Sequence, residues 1–255
     1  MRNVLALSWQ VVRDAARRKV FYVVFLFGIA VVALSPLLPT FELGLKAQFL
    51  RDVSLSLTSL FAVVLAVILS VGQISSEIDR KTVYNVLSKP VSRFEYLLGK
   101  YIGVLVSLAA ILFVMGLEIL LLVYLRLSVF TPIIFEGIFA IFLEAAIISA
   151  FCICLSTVTS VPVNILSVIL FYLVTHLKTG FLHQQLIEGV KGIAKVFSWA
   201  VYYVLPNLEN FNISQRVGYG HGAGWLYMLR ITGYALLFMI IIFGIGVLLF
   251  RRRNL

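Results

Sequence analysis

Charge is what this chain has least of: only 13% of its 255 residues are Asp, Glu, Lys or Arg, against about a quarter in soluble domains. Apolar residues make up 62% and mean hydropathy is +1.06. That balance excludes a soluble globular domain and reads as an integral membrane protein. Cysteine is also scarce. Cys152 and Cys154 lie two apart inside an apolar run, where a helix turns them to different sides. They cannot bridge each other and read as small apolar fillers. Enzyme motifs are missing too. No G-x-x-x-x-G-K-[ST] string occurs, and Gly99-Lys100 is followed by Tyr101 without the earlier glycine, so the chain has no P-loop of its own. H-E-x-x-H, G-x-S-x-G and CxxC are likewise absent. His176 and His183, seven apart, read as interfacial polar anchors rather than metal ligands. No cofactor or metal is therefore expected on this chain.

What is present is a series of long uncharged runs. They predict an all-α, polytopic membrane protein with six transmembrane helices at about 20–38, 53–75, 101–125, 133–157, 161–177 and 231–250. The six spans leave no room for a sizeable soluble domain, so 1–255 reads as one transmembrane domain. Residues 1–19 carry Trp9, Val12 and Ala16 to one side and Arg13, Asp14, Arg17, Arg18 and Lys19 elsewhere, the pattern of an interfacial helix. Between 178 and 230, Leu182, Leu186, Val190, Ile193, Phe197, Val201 and Val204 recur at helical spacing. Lys195 leaves too short an uncharged run before Pro206 for a seventh span. This stretch reads as an amphipathic or re-entrant helix on the outer side.

The net charge of +10 does not mark a nucleic-acid partner, because the basic residues flank spans. With the N-terminus inside, thirteen of the 21 Lys and Arg fall on the inner side. They are Arg2, Arg13, Arg17, Arg18 and Lys19; Arg80, Lys81, Lys89, Arg93 and Lys100; and Arg251, Arg252 and Arg253. That bias follows the positive-inside rule, and both termini are expected in the cytosol.

The polar stretch from Glu77 to Lys100 is pinned between two spans and therefore lies inside. Ser76 and Asp79 predict a helix start, and Ile78, Thr82, Val83, Val86 and Leu87 recur on one side of a short helix. Pro90 ends it, and Ser92 with Glu95 forms a capping box that opens the next span.

Glu77-Ile78 with Thr82, then Leu87-Ser-Lys89-Pro90-Val-Ser92-Arg93, then Gly99-Lys100 resembles the cytoplasmic loop of type-2 (exporter-type) ABC transporter permeases. Pro206-Asn207-Leu208 before the last span adds to the likeness, and the span pattern carries it over nearly the whole chain. The resemblance implies a plasma-membrane permease subunit that pairs with a second permease copy or a related one. It also implies a separate ABC ATPase subunit that holds ATP and Mg. The 1–19 helix would be the elbow helix. Glu77, Ile78, Arg80, Thr82, Val83, Val86, Leu87, Lys89, Pro90 and Arg93 would form the coupling helix and its exit, docking on that ATPase.

Three acidic residues stand in or beside apolar runs. Glu118 falls about 27 Å up the third span from Lys100. Glu136 starts the fourth, with Arg126 available to either as a partner, and Glu144 lies about 12 Å deeper than Glu136. An unpaired carboxylate at that depth costs several kcal/mol. Glu144 has no basic residue at comparable depth by this count. It is expected either as a neutral carboxyl bonded to a neighbouring helix, through Ser149 or Ser156 of another copy, or in a wet pathway. Glu144 and Glu118 are the pathway candidates. Two other functions remain open: a self-contained secondary transporter or channel using those residues, and a membrane scaffold without flux.

Overall fold

The structure is a computed structural model and describes residues 2–17, 20–34, 43–75, 77, 92–176 and 204–252. Among the described residues every regular element is helical. The elements are α1 (Arg2–Arg17), α2 (Val20–Leu34), α3 (Leu43–Ser70), α4 (Arg93–Leu127), α5 (Ile134–Ser156), α6 (Val161–His176), α7 (Ser214–Gly218) and α8 (Trp225–Arg252). A 3-10 turn, Leu208–Phe211, precedes α7.

Among the described residues four stretches are long and apolar enough to cross a bilayer: Ala47–Ser70, Arg93–Leu127, Ile134–Ser156 and Trp225–Arg252. Tyr22–Ala33 and Val161–His176 are shorter apolar helices. Three helices begin earlier than their apolar runs. α4 opens at Arg93 because both arms of the expected capping box form: Glu95 N–H donates to Ser92 Oγ at 3.1 Å and Ser92 N–H to Glu95 Oε2 at 3.1 Å. Its 35 residues span about 52 Å, well beyond a hydrocarbon core of about 30 Å. α3 starts at Leu43 and carries Arg51 inside it, since the guanidinium donates to Gly218 O at 2.8 Å rather than breaking the helix. α8 likewise begins at Trp225, ahead of Ile231.

Burial explains the arrangement. The apolar window of α5 is 78% buried, against 33–44% for the other three long helices. α5 is therefore the central post, and its composition suits that place: Ala140, Ala145, Ala146, Ser149, Ala150 and Cys152 let neighbours come close. Leu55 of α3 lies over Gly137, and Cys154 of α5 lies over Gly246 of α8. Outward-facing Phe25, Leu166, Ile240 and Leu248 stay exposed, as a lipid-facing surface requires.

α1 is amphipathic as expected, but its buried stripe is Leu7, Val11 and Ala15, while Trp9 is 63% exposed. The stripe is set by two glycines of α4. A Cβ on Gly99 would stand 2.7 Å from Leu7 Cβ, and one on Gly103 would stand 2.6 Å from Val11 Cβ. Only glycine at that four-residue spacing lets the two backbones approach so closely. Ser8 Oγ donates to Gly99 O at 3.0 Å and fastens the contact.

Candidate functional site

Two polar constellations stand apart, one at an end of the bundle and one near the middle of α5. The first gathers where α4 begins. Lys100, only 1% exposed, places Nζ 2.5 Å from Glu77 Oε1, and Tyr96 Oη donates to the other carboxylate oxygen of Glu77. A lysine buried this deeply needs such a partner. Arg93 reaches a different end: Nη1 donates to Phe250 O at 2.7 Å and Arg251 O at 3.1 Å, and the guanidinium lies over the Phe250 ring. It thereby satisfies carbonyls that the last turn of α8 leaves open. Of the ten docking candidates, then, Glu77 and Arg93 make contacts within their own chain. Ile78, Arg80, Thr82, Val83, Val86, Leu87, Lys89 and Pro90 lie outside the described residues.

The same end is tied laterally. Asn164 Nδ2 donates to Ser156 Oγ at 2.7 Å and to Cys152 O at 3.0 Å; Ser156 Oγ in turn reaches Val71 O at 3.2 Å. Ser75 Oγ lies 3.4 Å from Ser156 O. The turn after α3, which leads to Glu77, is thus bonded to the α5–α6 turn through buried hydrogen bonds. These serines and Asn164 look like scattered polar residues in the sequence; the signal is their position beside Pro162 at the shared turn.

The second constellation surrounds Glu144, which is 2% exposed. It lines a cavity of about 200 Å³ with Ser56 and Ser59 of α3, Tyr172 and His176 of α6, and Phe211 to Ser214. Ser59 Oγ donates to Glu144 Oε2 at 3.4 Å, and His176 Nδ1 stands 3.9 Å from Glu144 Oε1. His176 Nε2 is 3.7 Å from Glu209 Oε2. The expectation that nothing basic shares the depth of Glu144 is corrected by His176. Counted from the α5–α6 turn, Glu144 is about 18 Å along α5 and His176 about 23 Å along α6. α6 is short enough that its last residue comes level with Glu144. Ser149 and Ser156 are not its partners within this subunit, because their hydroxyls donate to Ala145 O and Cys152 O.

Glu118 is elsewhere. It faces Gly28 of α2 and lines a separate groove of about 500 Å³ with Phe25, Val32 and Leu121. Its Oε2 is buried without a hydrogen-bond partner. The two pathway candidates therefore do not share a cavity. Among the described residues neither Glu118 nor Glu136 pairs with Arg126; Glu136 Oε2 instead accepts from Ala223 N–H at 2.9 Å, holding the segment before α8 on the start of α5. Arg51 does the same from α3. Cys152 and Cys154 are buried and free.

An all-helical bundle with several membrane-length helices, lipid-suited outer faces and a polar cavity between α3, α5 and α6 defines a multi-pass membrane protein. Residues 5–255 match the family described as ABC-2 family transporter protein, and the chain belongs to that family. It is thus a membrane permease of an ABC transporter rather than the ATPase. No curated protein matches the chain.

Proposed function

We propose that this chain is the membrane-spanning subunit of an ATP-driven exporter in the plasma membrane. It comprises a single permease domain with six spans, both termini cytosolic, α1 as the interfacial elbow and 178–204 on the outer side. It pairs with a second permease copy, and ATP with Mg is bound and hydrolysed on a separate ABC ATPase. The 77–88 helix docks there, with Ile78, Val83, Val86 and Leu87 filling a groove and the charged residues at its rim. Closure of the ATPases then moves this helix and switches the pathway between inward and outward access.

The observation that carries this reading is the clamp of Glu77 on Lys100 and Tyr96. Along the chain, 78–91 are joined to the bundle at residues 77 and 92. One end is clamped to the first turns of α4, and the turn before it is bonded to the α5–α6 turn. The first attachment is partly buried and the second fully so, and together they tie the chain at residue 77 to α3, α4, α5 and α6. Val83→Asp and Leu87→Asp test the docking directly. Each is expected to abolish co-purification of the ATPase while the subunit still inserts in the membrane; undiminished co-purification would rule the docking out.

A further inference from the structure

In the cavity beneath residues 211–214, two polar atoms have no hydrogen-bond partner among the described residues. Glu144 Oε1 and His176 Nδ1 are both buried without a hydrogen-bond partner, and they stand 3.9 Å apart. The Glu144 side chain is 3% exposed, so bulk water does not serve it. Orphaned buried groups of this kind mark a place where a further group belongs. With its hydrogen on Nε2, on the side of Glu209, the His176 ring presents a lone pair at Nδ1. Two acceptors at this separation suit one donor nitrogen between them, about 2.8–3.0 Å from each.

Charge and size narrow the donor. The cavity wall carries the Glu144 carboxyl, with Glu209 behind His176, and no Lys or Arg among the described lining residues. The Tyr172 ring, 4.6 Å from the imidazole centroid, adds an electron-rich face. About 200 Å³ admits a headgroup rather than a large molecule. Water would answer the hydrogen bonds but makes no use of the two acidic side chains, Glu144 and Glu209, that stand on either side of His176. A cation with several N–H donors answers both.

We propose that this cavity binds the protonated primary amine of the transported molecule, its N–H groups donating to Glu144 Oε1 and His176 Nδ1. The assignment rests on the transporter reading above and names its substrate class. Two sources share this chemistry, a small soluble amine and an aminophospholipid headgroup.

The test is direct binding of ethylammonium to the purified full-length chain in phosphatidylglycerol nanodiscs, without ATPase, with ethanol as the neutral control. Saturable ethylammonium binding and none of ethanol is expected, with Glu144→Gln weakening it about tenfold. Glu209→Gln, on the outer segment, is expected to weaken it by a smaller factor and serves if Glu144→Gln fails to fold. Repeating the titration in phosphatidylethanolamine discs separates the sources: competition identifies a lipid headgroup, and unchanged affinity a soluble amine. Absence of saturable ethylammonium binding in phosphatidylglycerol discs overturns the site, as does equal affinity in Glu144→Gln. Because no ATP is present, binding that persists in a chain shown not to be ATP-driven would refute the exporter reading and leave the site standing.

Discussion

Lys100 Nζ lies 2.5 Å from Glu77 Oε1, joining residues on either side of the polar stretch while the lysine is almost wholly buried. Glu77 comes just before residues 78–91 in the chain, and Lys100 is the eighth residue of α4. The pair therefore ties residue 77 to the start of α4. Removing one member strands the other. Lys100→Met is expected to destabilise the subunit by about 2–3 kcal/mol, below the ~3–5 of a fully buried pair because Glu77 keeps some solvent contact. Glu77→Gln combined with Lys100→Met should cost less than the sum of the two. Thermal unfolding of the four proteins in detergent supplies that cycle, and strict additivity would show that the pair is not coupled.

The contact between α1 and α4 depends on absent side chains. A Cβ at Gly103 would come within 2.6 Å of Val11 Cβ and 2.8 Å of Ser8 O. Gly103→Val is expected to push α1 away at a cost of about 1–3 kcal/mol. A cysteine at position 11, fully buried beforehand, should then react with maleimide, whereas it stays protected beside Gly103. Continued protection would mean that α1 reseats without leaving its groove.

Orientation is open to a labelling test at two exposed positions. His221 lies in the segment before α8, and Ser160 in the α5–α6 turn. With the N-terminus inside, His221→Cys should react with an impermeant maleimide added to intact cells. Ser160→Cys should react only after the cells are opened. The reverse pattern would invert the topology.

Helix existence was legible from the apolar runs, and the start of α4 from Ser92 and Glu95 alone, since capping is a local event. What was not legible came from packing. The sequence places Arg51 in a link because a charge interrupts hydropathy, yet its guanidinium is accommodated by Gly218 O, far along the chain. Gly99 and Gly103 carry the four-residue spacing of a close helix contact, a readable signal, though their partner α1 is visible only in three dimensions. The depth of Glu144 was readable from helical rise, while the level at which α6 ends was not. Its meeting with His176 depends on that difference. The division of Glu118 and Glu144 between two cavities depends on which helices flank α4 and α5, which no local pattern records.

The central claim is that a separate ATPase works through the segment beginning at Glu77. It is tested most directly by the ATP hydrolysis rate of that ATPase reconstituted with the chain in proteoliposomes, wild type against Leu87→Asp. The account predicts hydrolysis that rises with the wild-type chain and falls to the rate of the ATPase alone with Leu87→Asp. Equal stimulation by both chains would contradict it.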